Sequence, residues 1–329
     1  MYQQRPRPAH HFSNILNVAL LCATSLFASS SLSACGQSQW ESLNKSGLEA
    51  LRRADYPEAE SKLKQGLVEA EKSGRESLNA ATSANNLASL YQRQAKYADA
   101  EPLFKRALAI REKVLGVNDT HVSTTLNNLG SLSVAQGRVN EAESYYKRSL
   151  IIMEKALGPN HPDVAVRLNN LGELYRHQGK YKEAEPFFQH AVKIVEKTAG
   201  PSHPAYASAL NNLALVYAKE GRADEAESLQ IHALALQEKA LGPDHPDVAN
   251  TLSNLGTLYL YQAKYDEAEK NYKRAQTINE KALGPNHPRV ADGLNNYAVL
   301  LRKTHRVDEA IKMEERAKAI GPTKNNGAG

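Results

Sequence analysis

Across residues 163–178 the apolar side chains Leu168, Leu171, Leu174 and Tyr175 recur at intervals of three and four. After a polar break at Gly179 the same spacing resumes with Ala184, Phe187, Phe188, Ala191, Val192 and Val195. That spacing puts one apolar stripe on each of two helices, and it predicts helix A over 163–178 and helix B over 182–198. A helix of about sixteen residues is roughly 24 Å long. Asn169 and Asn170 sit side by side inside helix A. Asparagine is a poor interior residue because its short amide competes for backbone hydrogen bonds, so the pair needs a reason outside the helix.

The pattern is periodic. The second asparagine, or its equivalent, falls at Asn44, Asn86, Asn128, Asn170, Asn212, Asn254 and Asn296, a step of 42 residues each time. The text around it repeats, as in "LNNLGELYRHQGKYKEAEPFFQHAV" and "LSNLGTLYLYQAKYDEAEKNYKRAQ". A fixed period of this size is the signature of stacked supersecondary units. Between units, "GPNHP" at 158–162 recurs as "GPSHP", "GPDHP" and "GPNHP" from Gly200, Gly242 and Gly284. Its glycine ends helix B and its prolines stop one helix and start the next. Helix B opens on paired carboxylates, Glu141 and Glu143, Glu183 and Glu185, Glu225 and Glu227, Glu267 and Glu269. Recurrence at every helix start reads as complementing the helix dipole rather than as acid–base chemistry. Gly172, Ala184 and Ala191 keep side chains small where the two helices meet, with Gly130, Ala142, Ala226, Gly256, Ala268 and Ala275 in matching places.

The order Leu-Gly, Tyr three on, Ala at the start of helix B, an aromatic four later and Ala three after that resembles the tetratricopeptide repeat. In its 42-residue form it is most similar to the kinesin light chain type. The resemblance implies an all-α fold, a TPR-type α-solenoid in which antiparallel helix pairs curl into a right-handed superhelix. It covers residues 41–320 in seven helix pairs. The first pair lacks the paired asparagines and the GPxHP turn and reads as an N-terminal cap. The seventh puts Glu314 where an aromatic is usual, as suits a terminal helix facing solvent. Residues 321–329 offer nothing apolar to bury and are expected to be a disordered tail.

The first 34 residues read differently. Arg5 and Arg7 precede an apolar run over 15–28 and a small-residue tract, the layout of a secretory signal peptide. Leu32-Ser33-Ala34-Cys35 resembles the bacterial lipoprotein box. That resemblance implies cleavage between Ala34 and Cys35 and lipidation of Cys35, which a linker over 35–40 then joins to the solenoid. One acyl chain holds a protein to a membrane only marginally and two or more hold it durably. Gly36 after the cysteine implies the outer membrane of a Gram-negative cell, with the chain facing the periplasm. A plain secreted protein, or a cytosolic one starting further on, is the alternative. Cys22 and Cys35 are the two cysteines among 329 residues, so residues 41–320 have no thiol chemistry. A formal charge of +5 without a basic stripe argues against nucleic acid.

By resemblance, groove-lining roles fall on Asn85, Asn127, Asn169, Asn211 and Asn295, with Asn86, Asn128, Asn170, Asn212 and Asn254 beside them. Each amide offers a donor and an acceptor, which suits holding the backbone of an extended peptide; the alternative is a bond to the neighbouring helix that only stabilises stacking. Family members that clamp a carboxylate use lysines and arginines four residues on from the first asparagine. Here those positions are Ser89, Ser131, Glu173, Leu215, Thr257 and Val299. Arg93, Arg176, His177, Lys219, Arg302 and Lys303 could still attract acidic segments. His161, His203, His245 and His287 lie one repeat apart, too far for one zinc ion, and read as turn residues. The expected function is a lipid-anchored, non-catalytic scaffold that binds a protein or peptide partner, with no cofactor, metal, nucleic acid or small-molecule substrate. The alternative is an adaptor without the anchor, and third is an enzyme with a site grafted on the solenoid. Ile231 and Leu234 on an outer helix leave self-association open.

Overall fold

In the computed structural model, residues 38–321 are described, and they form fourteen α-helices. The signal-peptide and lipidation expectations, Ala34 and Cys35 included, lie outside them, as does the tail beyond Gly321. The chain divides into two units at 174/175. The first holds α1 (Gln39–Arg52), α2 (Tyr56–Lys72), α3 (Leu78–Arg93), α4 (Tyr97–Leu115), α5 (Thr120–Ala135), α6 (Val139–Leu157) and most of α7 (Pro162–His177). The second holds α8 (Tyr181–Ala199), α9 (Pro204–Lys219), α10 (Ala223–Leu241), α11 (Pro246–Tyr261), α12 (Tyr265–Leu283), α13 (Pro288–Lys303) and α14 (Val307–Ile320). Odd-numbered helices are the A helices and even-numbered ones the B helices of a TPR-type α-solenoid. A helices start at 78, 120, 162, 204, 246 and 288, forty-two residues apart.

Two turns alternate, and each is written in the sequence. From A to B, one residue takes a left-handed conformation. It is Gly137 in one repeat (φ 73) but Ala95 and Ala263 in others (φ 57 for both). The next N–H then reaches back five residues, as Arg138 N–H does to Ser133 O at 2.8 Å, closing the helix end in a Schellman arrangement. From B to A, the glycine of GPxHP leaves the helix, and the histidine caps the next one. Nδ1 of His161, His203, His245 and His287 accepts the backbone N–H two residues on, at 3.1–3.2 Å. The sequence placed these histidines in turns; the structure gives them a job, satisfying an orphan donor of the A helix. In the two B-to-A turns without that histidine, Ser77 caps α3 and Asp119 caps α5 instead. Ser38 and Glu41 form a capping box at the start of α1, which extends the array slightly beyond the expected 41–320.

Within a pair the helices meet through small residues. A Cβ on Gly130 would lie 2.6 Å from the Tyr146 ring, and one on Gly256 would lie 2.8 Å from the Tyr272 ring. Tyrosine on helix B therefore requires glycine opposite, while Phe104 tolerates Ala88 at the equivalent place; both are buried in the same cluster. That cluster joins Leu51, Leu63, Leu87, Leu90, Leu129 and Leu132, so apolar side chains from α1 to α5 share one core. In the second unit, Tyr272 packs with Tyr297, Leu300, Leu301 and Ala310. One repeat departs: Gln230 takes the aromatic place of α10 and is buried, and its Oε1 has no hydrogen-bond partner. Leu234 packs against Val248 and its neighbours and so offers less free surface than expected, whereas Ile231 is exposed.

Candidate functional site

The paired carboxylates of helix B divide their labour. Helices α4, α6, α8, α10, α12 and α14 follow a basic residue whose side chain makes no cap hydrogen bond. Where that residue is arginine, the first carboxylate of the pair turns back to it: Arg138–Glu141 at 2.9 Å, Arg222–Glu225 at 2.7 Å and Arg306–Glu309 at 2.7 Å. The second reaches forward to the next repeat. Glu101 accepts from Arg138 at 2.8 Å, Glu185 from Arg222 at 2.7 Å, Glu227 from Lys264 at 3.1 Å and Glu269 from Arg306 at 2.8 Å. The A-helix tyrosine of that next repeat adds its hydroxyl, Tyr259 to Glu227 at 3.1 Å and Tyr297 to Glu269 at 2.7 Å. The cation lies over the same tyrosine, with Arg222 3.6 Å from the Tyr217 ring centroid. The dipole reading thus fits only the first carboxylate; the second is an inter-repeat clamp.

Electrostatics follow the contacts. Lys273 on the same helix, then Tyr297 and Arg306 from the next repeat, hold the Glu269 carboxyl down at about 2. Lys105, Arg138 and Gln136 do the same for Glu101, also about 2. Arg222 is raised by Glu225 first and Glu185 second. Burial and the charge of Arg289 push the His287 imidazole down, which favours the neutral ring its cap requires.

The asparagines are largely spent on stacking in the first unit. The second asparagine of one repeat donates through Nδ2 to a side chain of the repeat before: Asn86 to Asn44 Oδ1 at 3.3 Å, Asn128 to Asn85 Oδ1 at 3.0 Å, Asn170 to Asn127 Oδ1 at 2.7 Å. Asn85 and Asn127 are buried there. Asn169 and Asn212 are half-buried. In the second unit the ladder changes. Asn211 is buried and donates to Thr251 Oγ1, which donates in turn to Gln237 Oε1 at 2.6 Å. Asn254 is half-buried and Asn295 and Asn296 are exposed, and none of the three side chains makes a hydrogen bond among the described residues. They share the A-helix face of α11 and α13 with Tyr261, 73% exposed, and Val299. Lys219 of α9 sits 5.2 Å from the Tyr261 ring centroid. Arg302, a candidate for acidic segments, is taken up by Glu314 at 2.6–2.7 Å. Among the described residues no group of three or more His, Cys, Asp or Glu could hold a metal ion, and no helix is long and apolar enough to cross a membrane.

The tetratricopeptide repeat pattern matches residues 80–121, 121–197, 168–228, 205–281 and 247–322. The chain belongs to the tetratricopeptide repeat family. Solved structures resemble its fold along most of its length. BtubC (BKLC) from P. vanneervenii is 24% identical, with 75% of this chain and 91% of that one covered and a TM-score of 0.57. The putative kinesin light chain of Podosopora anserina, built from nearly identical repeats, is 26% identical, with 60% and 94% covered and a TM-score of 0.53. A Rap protein solved in complex with competence and sporulation factor is 16% identical, with 86% and 74% covered and a TM-score of 0.63. No curated protein matches this tetratricopeptide chain at a significant level. The chain is a helical tetratricopeptide array, in which Glu101, Glu185, Glu227 and Glu269 join successive repeats and the turn histidines cap the A helices.

The clamp has a pH signature. Because Glu269 ionises at about 2 in the folded chain, below its ordinary 4.5, its contribution is complete above pH 4.5 and disappears as pH falls toward 2. Glu269→Gln should cost about 0.5–1 kcal/mol at pH 7. In urea titrations across pH, the gap between wild type and variant should close between pH 4.5 and 2; a gap unchanged by pH would contradict the ionic clamp.

Proposed function

We propose that the chain is a protein-interaction scaffold that holds an extended peptide segment along its A helices. The uncommitted amides of Asn254, Asn295 and Asn296 carry the reading. An amide left without a partner on a solvent-facing helix offers both a donor and an acceptor to a peptide backbone, and Tyr261 and Val299 beside them supply apolar area. The asparagines engaged between repeats, Asn85, Asn86, Asn127, Asn128, Asn170 and Asn211, then act by fixing the spacing of the helices. Likeness to the putative kinesin light chain of Podosopora anserina supports reading the repeats as the 42-residue kinesin light chain type. Such a scaffold works by spreading weak contacts over several repeats. A peptide selected on the intact chain from a random display library should lose at least about tenfold in affinity when Asn254, Asn295 and Asn296 are changed to alanine, for loss of two or three hydrogen bonds. Asn128→Ala should instead lower stability. Selected peptides indifferent to the triple change would overturn the assignment.

Everything the described residues display is accounted for by an adaptor without an anchor. The anchored version rests on the sequence of residues 15–35, with cleavage after Ala34, lipid on Cys35 and attachment to the outer membrane facing the periplasm. Under that version 1–34 is removed, 35–40 links and 41–320 forms the array. Intact mass after detergent extraction from the native host separates the two. A chain starting at Cys35 with the added mass of a diacylglycerol and an acyl group supports the anchor, and an unmodified, unprocessed mass removes it.

A further inference from the structure

Helix α10 departs from the repeat at three consecutive residues. Where α4, α6 and α12 carry Phe104-Lys105-Arg106, Tyr146-Lys147-Arg148 and Tyr272-Lys273-Arg274, α10 carries Gln230-Ile231-His232. Each of the three regular residues holds the array in a different way. The aromatic ring is buried in the core. The lysine reaches the clamp carboxylate one turn earlier: Lys105 to Glu101 at 2.6 Å, Lys147 to Glu143 at 2.7 Å and Lys273 to Glu269 at 2.7 Å. The arginine ties its B helix to the one before: Arg106 to Glu71 at 2.7 Å, Arg148 to Glu112 at 2.5 Å and Arg274 to Glu238 at 2.5 Å.

None of the three contacts survives in α10. Gln230 is buried and its Oε1 has no hydrogen-bond partner, so a group that costs stability stands where an aromatic ring would add to it. Ile231 is exposed and gives Glu227 no cation from its own helix. His232 forms no ion pair among the described residues. Glu196, which has on α8 the place of Glu238 on α10, instead accepts the Tyr206 hydroxyl at 3.4 Å. An imidazole is shorter than a guanidinium and lacks its permanent charge. The packing records the loss. The buried residues of α10 are Ala226, Gln230, Ala233 and Gln237, whereas α8 buries Phe188 and Ile194 and α12 buries Tyr272 and Ile278. Leu229, Leu234 and Leu236 are only half-buried. Neighbouring α8 keeps its aromatic, and its Gln189 Nε2 still reaches Glu185 Oε1 at 2.8 Å.

We infer that α10 is a built-in opening point of the second unit: in the folded chain it detaches from α9 and α11 and returns more often than α8 or α12 part from their own neighbours. A repeat array is held by nearest-neighbour contacts, so a link short of apolar burial and of ion pairs opens at lower free energy than the links beside it. The partner helix does not impose the glutamine. Ala214 stands opposite Gln230 as Ala88 stands opposite Phe104, so the place would take a phenylalanine. Opening at α10 uncouples α8 and α9 from α11–α14, the helices that include Asn254, Asn295 and Asn296. The device concerns how the unit opens and stands apart from what binds there.

The test is hydrogen–deuterium exchange of the full chain at neutral pH, read segment by segment by mass spectrometry. Corrected for intrinsic rates, the amides of α10 should exchange at least about tenfold faster than those of α8 and α12. Changing Gln230→Phe, Ile231→Lys and His232→Arg together writes the residues of α4 into α10. Exchange of α10 should then slow at least about tenfold, with α4 and α6 unaffected. The surface pair alone, Ile231→Lys with His232→Arg, leaves the core as it is and should slow the same segment about twofold to fivefold. Protection of α10 equal to that of α8 and α12 in the unaltered chain would overturn the opening point. So would α10 exchange that neither variant changes.

Discussion

A carboxylate on helix B that reaches forward to the next repeat is the interaction on which the rest depends. An isolated helix pair cannot bury its apolar face, so each repeat needs its neighbour. Leucines and alanines supply the attraction, but apolar contact alone sets neither the rotation nor the offset between repeats. Glu101, Glu185, Glu227 and Glu269 do this by receiving a cation from the following turn, and Tyr259 and Tyr297 lock the same oxygens from the following A helix. Each such pair is worth only about 0.2–1 kcal/mol when solvated. Their value is directional, and they recur.

The asparagines show the same economy from the other side of the A helices. In the first unit, an amide from one repeat meets an amide or carbonyl oxygen from the one before, so groups poorly suited to a helix interior are satisfied by the stack. Where the pattern lapses, in α11 and α13, the amides stand open. Function is then what remains after stacking is complete: the unspent hydrogen-bonding groups of the second unit.

Much of this was legible in the sequence, and the limits were physical. The 42-residue step, the GPxHP turn and the glycine opposite tyrosine fix helix starts to within a residue or two, because turn conformations leave strict residue signatures. Paired glutamates announced themselves equally clearly, but the periodicity cannot say whether Glu227 looks along its own helix or across to Lys264, thirty-seven residues away. The histidine caps were missed for a similar reason: histidine is an uncommon N-cap, and its ring nitrogen can act only when neutral. For the asparagines, one chain laid against itself showed recurrence without separating stacking from binding.

The most direct measurement is a double-mutant cycle across one clamp, Glu101→Gln and Arg138→Met singly and together, read by urea denaturation at neutral pH. A two-pronged carboxylate–guanidinium contact at 2.8 and 3.2 Å between successive repeats should give a coupling of about 0.5–1 kcal/mol. A coupling indistinguishable from zero would contradict the claim that these carboxylates hold one repeat to the next, and would leave the register to apolar packing alone.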